Sequence, residues 1–424
     1  MKYVHRDLDV LRARWPKFVK QHPQCEGVTR DRLVFEDTIV DPRLFRAQQE
    51  GGRVCRIEAG DVHGIQIGTS FELYDMTDTL QKNRMLGTAV TKEVFPTYCL
   101  EEMAEGVRLA GGYHTALVLQ QVYKLRFAVV NKAPNSTDAL RIEEKLAKSM
   151  SDADTQYMGV LTRVDAEAKD VDVVLEIDDE AGGGVTFLPK DVHFRDLTTR
   201  SPRLDASDVE AVDFPAMLND VAKFNFYLAQ TSQGRPFVDD VDFELHLLED
   251  DADDDGDDEG PLKQARALKE ELPFKNDEVQ FGESEDPYAF VLKNNGSVPL
   301  YPYIIYFDPG TYQIETWYTP LEAKKPTLLP HSFLQVGASP EHREPFWFFI
   351  REGEDVDTSF VKVFLLDAEA HISFMDQAPV MGRDEEGKSY IRDSLRDRVE
   401  AGLETAPRRG GWDSISKKIT VTRQ

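Results

Sequence analysis

The chain has 424 residues, 41% hydrophobic and 10% aromatic, enough to bury at least one sizeable core. Its 77 acidic residues against 50 basic ones give a formal net charge of -27, a field that repels phosphate backbones and anionic lipid and excludes nucleic acid and membranes as favoured partners. Cys25, Cys55 and Cys99 are too few and too widely spaced for a disulfide scaffold; with no apolar run of the roughly 18 residues that cross a bilayer and no apolar signal core at the N-terminus, the expected location is cytoplasmic.

Residues 1–49 carry a short amphipathic pattern (Leu8, Leu11, Trp15, Phe18) interrupted by Pro16, then a turn and the apolar triplet Leu33, Val34, Phe35. From about residue 50 the pattern changes to period-2 alternation with Gly60, Gly64 and Gly68 between Arg53–Glu58 and Ser70–Tyr74. This predicts a small antiparallel β-barrel or sandwich over 50–121. Residues 122–248 mix strands with two helices, one with Asp138 as N-cap and Leu140, Ile142, Leu146 and Met150 as its stripe, the other with Met217, Leu218, Val221, Phe224 and Leu228. That is an α+β unit.

The low-complexity run EDDADDDGDDEG holds nine acids within Glu249–Glu259. Such a run cannot pack, so 249–279 is expected to be an acidic linker with a short helix, and a domain boundary. Beyond it, short apolar strands punctuated by Asn-Asn-Gly and Asp-Pro-Gly turns predict a two-sheet β-sandwich over 280–424. A polar insertion, 376–411, precedes a last strand marked by Ile415, Ile419 and Val421. The fold class is α+β, β-rich and multidomain.

Three features invite a chemical reading. Asp251, Asp253, Asp255, Asp257 and Glu259 match part of a calcium loop, but Leu262 stands where a bidentate glutamate is needed and Pro261 interrupts the flank, so no cofactor is expected beyond weak calcium. The three cysteines lack a neighbouring base in a rigid setting, as nucleophilic chemistry requires. Nine scattered histidines form no zinc pattern. The aromatics of 301–318 are expected to be half core, half surface, and Tyr312, Trp317 and Tyr318, near the Asp308-Pro309-Gly310 turn, are the residues expected to contact a ligand or partner.

The stretches QHPQCEGVTRDRLVF, EAGDVHGIQIGTSFELYD, DVAKFNFYL, LYPYIIYFDPGTYQIETWY and VKVFLLDAEAHISFM resemble, in this order, segments of basidiomycete fungal caspase-like (metacaspase-related) proteins, in which a cysteine peptidase domain precedes a long C-terminal extension. The peptidase's His and Cys boxes are absent, since neither His63-Gly64 nor Cys25-Glu26-Gly27 lies in matching surroundings. The resemblance therefore implies the non-catalytic C-terminal region of such a protein, with 1–49 like the tail of the caspase-like domain. It implies an interaction or regulatory module whose partner is a protein, a caspase-like peptidase among the candidates. A cysteine peptidase using Cys25, Cys55 or Cys99 and a carbohydrate-binding module using Tyr312, Trp317 and Tyr318 are the alternatives.

Overall fold

A computed structural model describes residues 44–75, 84–109, 114–120, 123–151, 159–180, 183–190, 201–209, 212–232, 234–249, 266–320, 325–339, 342, 344–351, 354–370, 372–380 and 411–423. The period-2 segments at the start close into a barrel. Its strands are β1 (Leu44–Gly51), β2 (Val54–Ile57), β3 (Ser70–Tyr74), β4 (Met85–Val94), β5 (Cys99–Met103) and β6 (His114–Gln120), in the order β1-β2-β5-β4-β3-β6. Alternate residues fill the lumen, among them Phe45, Ile57, Phe71, Leu73, Cys99 and Met103. The glycine spacing has two causes: Gly64 and Gly68 adopt φ of 73° and 92°, whereas at Gly60 a Cβ would stand 2.2 Å from the Phe95 carbonyl oxygen. The barrel starts at Leu44, ahead of the boundary expected at residue 50.

The middle unit is a five-stranded mixed sheet. It contains β7 (Tyr123–Asn131), β8 (Gly159–Arg163), β9 (Val173–Asp178), β10 (Gly184–Pro189) and β11 (Arg203–Asp205), ordered β11-β10-β9-β7-β8, with β7 parallel to both neighbours. Its helices are α1 (Thr137–Ser151), α2 (Ala206–Val209) and α3 (Phe214–Ala229). In α1 Ile142 and Leu146 are buried as expected and Met150 packs against the core, but Leu140 is 50% exposed and Ala139 is buried instead; the helix begins at Thr137, so Asp138 lies in its first turn and is not its N-cap. Helix α3 starts at Asp213, whose side chain accepts from the Ala216 amide at 3.2 Å, followed by Pro215 in the first turn. Its expected apolar stripe is buried throughout.

The C-terminal sandwich has two sheets. One is β13-β12-β15-β18, from β12 (Val241–Leu248), β13 (Leu268–Leu272), β15 (Tyr288–Asn294) and β18 (Ser332–Val336). The other is β14-β20-β19-β16-β17, from β14 (Glu278–Gly282), β16 (Tyr301–Asp308), β17 (Gln313–Tyr318), β19 (Val356–Leu366) and β20 (Trp412–Thr422). The last strand returns to the sandwich as the alternation of Ile415, Ile419 and Val421 requires, and β14 pairs with it in parallel. Strand β19 is buried on both faces. One side meets the inter-sheet core of Phe243, Phe290, Leu292 and Ile304, and the other meets the core built around α3.

Two boundaries expected from composition are corrected by pairing. Strand β12 belongs to the sandwich, because it pairs with β15 over Val241–Leu247, so the middle unit ends with α3. The acidic run therefore joins β12 to β13, antiparallel neighbours in one sheet, and the Glu249 amide donates to the Ala267 carbonyl at 3.0 Å. It is a hairpin connection inside a domain; a solvated, unpackable sequence suits a loop as well as a linker.

Candidate functional site

The cysteines come first, because a thiol is the strongest nucleophile available to this chain. Cys55 and Cys99 are buried in the barrel lumen. Cys55 pairs with Glu101 across β2 and β5, and the Cys99 Sγ donates to Glu101 Oε1 at 3.0 Å. Burial, then the Glu101 carboxylate, push the Cys55 thiol up to about 12, and the same two causes raise Cys99. A carboxylate beside a thiol favours the protonated sulfur, opposite to the imidazolium of a cysteine peptidase. Both are poor nucleophiles at neutral pH; Cys25 lies outside the described residues.

The aromatic turn is corrected by burial. Tyr312 is 1% exposed and meets the Phe224 ring edge-on at 5.3 Å; its φ of 57° turns the chain so that the ring points into the core under α3. Tyr318 is 3% exposed, with its hydroxyl 2.9 Å from Thr327 Oγ1. Neither leaves a face for a ligand. Trp317 alone is half-buried, stacked on Tyr306 at 4.3 Å and on Phe346 at 4.8 Å, with Nε1 donating to Glu315 Oε2 at 3.1 Å. Period 2 places neighbours on opposite faces but does not say that both faces of this sheet are covered.

A half-buried group of ligand-type side chains lies at the β12–β13 edge. Val241, Phe243 and Leu245 point into the core, so Asp242, Glu244 and His246 share the outer face. His246 stands opposite Glu271 in the β12–β13 register. Its Nε2 lies 2.9 Å from Glu244 Oε2, while Lys293 on β15 holds Glu244 Oε1. Desolvation would raise the Glu244 carboxyl, but hydrogen bonds from Lys293 and His246 outweigh it and hold the group below its ordinary range. One ligand-type atom each from Glu244, His246 and Glu271 falls within 4.8 Å of the other two.

Beside them an open cleft of about 370 Å³ runs between the two sheets, lined among others by Arg235, Asp242, Glu271, Asp277 and Lys417. Its basic residues face acids, Lys417 Nζ at 2.6 Å from Asp277 Oδ1 and Arg235 Nε at 3.7 Å from Asp413 Oδ1. Glu270 and Glu271 on the edge strand are exposed. The candidate calcium residues Asp251, Asp253, Asp255, Asp257 and Glu259 lie outside the described residues; in sequence they fall between β12 and β13. Among the described residues no helix is long and apolar enough to cross a membrane. No family model matches the chain, and no curated protein matches it.

Proposed function

We propose that this chain is a non-catalytic, acidic interaction module that engages a basic protein partner through the β12–β13 edge of its sandwich. The observation that carries this reading is the placement of the acidic run. In sequence, nine acids within Glu249–Glu259 fall between β12 and the edge strand β13, whose exposed positions add Glu270 and Glu271. Concentrated single-sign charge on a sheet edge steers an oppositely charged surface and fixes its orientation more than it adds raw affinity. The barrel thiols support the non-catalytic part, since burial and Glu101 keep them protonated.

The resemblance to the C-terminal extension of basidiomycete caspase-like proteins gives the partner class: a caspase-like peptidase domain, met in the cytoplasm. The test is co-elution of the full chain with such a domain in size-exclusion chromatography at low and at high salt. Association at low salt that weakens at high salt is expected. Separate elution at both would defeat the reading, as would turnover of an Arg or Lys fluorogenic peptide by this chain alone that a Cys25→Ala change abolishes.

A further inference from the structure

The cluster on the outer face of β12 goes beyond partner binding, because its chemistry is not that of a docking surface. We infer that Glu244, His246 and Glu271 form a divalent-metal site for a borderline ion of the zinc class. The geometry fits one ion. His246 Nε2 and Glu244 Oε2 are 2.9 Å apart, and all three ligand-type atoms lie within 4.8 Å of one another. Ligands of a tetrahedral zinc, at about 2.0–2.2 Å from the ion, stand roughly 3.4 Å apart, a spacing within the range these three atoms span.

Lys293 does not block the site. It holds Oε1 of Glu244, leaving Oε2, the oxygen turned toward His246, as the ligand. A lysine on the second oxygen orients the carboxylate, as outer partners of metal ligands do. The imidazole sets the class of ion: calcium and magnesium prefer all-oxygen shells, whereas one nitrogen with two carboxylates suits zinc, cobalt or manganese.

Charge and access point the same way. Two carboxylates against the one ammonium of Lys293 supply negative charge for a cation. Glu271 is exposed and also lines the open cleft, so water can complete the shell.

The test is equilibrium dialysis of the full chain against Zn²⁺ in excess Mg²⁺, with Co²⁺ absorption as the coordination readout. The comparison set is His246→Ala, Glu271→Gln and a hairpin variant with Asp251, Asp253, Asp255 and Asp257 changed to Asn and Glu259 to Gln. One zinc per chain should survive the magnesium and the hairpin changes. Each of His246→Ala and Glu271→Gln should weaken it by at least about tenfold and remove the visible band of low-symmetry Co²⁺. Since Glu271 is exposed, its variant keeps the test valid if His246→Ala fails to fold. Undiminished zinc in both single variants, loss confined to the hairpin variant, or no zinc retained by the wild type would each overturn the assignment.

Discussion

The barrel lumen and the sandwich each take a titratable side chain out of water, with opposite provision for it. In the lumen, Glu101 is 1% exposed, faced by the Thr91 hydroxyl at 2.5 Å and the Cys99 thiol at 3.0 Å, and its Oε2 has no hydrogen-bond partner. Desolvation pushes its carboxyl up to about 7, against the hydrogen bonds from Thr91 and Cys99. In the sandwich, Lys362 on β19 is fully buried, but its ammonium donates to the carbonyls of Tyr227 and Leu228, each at 2.9 Å, and to that of Gln230. Burial pushes it down to about 7, while three carbonyls at the negative end of α3 favour the charged form. The difference teaches that matching does not cancel desolvation, since burial drives both groups toward their neutral forms; matching decides how much polar backbone a site strands when its side chain is removed.

The largest expected effect breaks the matched side. Lys362→Met removes the ammonium from the Tyr227 and Leu228 carbonyls at the C-terminus of α3, while the Gln230 carbonyl keeps the Ser414 hydroxyl at 3.3 Å; α3 is the helix on which barrel and sandwich both pack. A loss of about 2–4 kcal/mol in denaturant unfolding is expected from the two unmatched carbonyls. A loss below about 1 kcal/mol would mean that those carbonyls find other donors and that the contrast with Glu101 is empty.

Next comes the unmatched side. The folded-state pKa of Glu101 lies above its unfolded value of 4.5. The stability it contributes is therefore fully present below that pH and is lost as pH rises through about 7. Relative to Glu101→Gln, the wild type should lose on the order of 2–3 kcal/mol across this window. Asp220 and Asp357, both raised to about 6, act in both proteins and cancel in the difference. Parallel pH profiles for the two proteins would contradict the raised carboxyl.

A smaller effect concerns reactivity. In a Cys25→Ala background, Cys55 and Cys99 should react with a thiol reagent at pH 7 only as fast as the barrel opens. Prompt labelling would show a thiolate that the lumen does not provide for. The smallest effect is expected on the solvated face: Glu271→Gln, without metal, should change stability by less than about 0.5 kcal/mol.

Much of this architecture was legible in the sequence, for identifiable reasons. Barrel strands such as β3 and β5 alternate cleanly, the central sandwich strands β15 and β19 read as continuous apolar runs, and the α3 stripe of Met217, Leu218, Val221, Phe224 and Leu228 is the helix's buried face. The acidic run misled because composition reports solvation, not connectivity; that β12 and β13 pair across it is set by residues on either side. Tyr312 was misplaced because a turn position was read as exposed, whereas it shares the side of Ile314, which the core around α3 covers. The alternation of VDFELHLL places Glu244 and His246 on one face and could have been read. Glu271 could not, since it meets them only through the register of a strand on the far side of the hairpin.

The most direct measurement is the affinity of the full chain for a caspase-like peptidase domain, taken across ionic strength for the wild type and for the hairpin variant stripped of its acids. Binding by the wild type should fall steeply with salt, and the variant should bind weakly with a shallow slope. Equal affinity and equal slope for both proteins would contradict an acidic edge as the functional part of this chain.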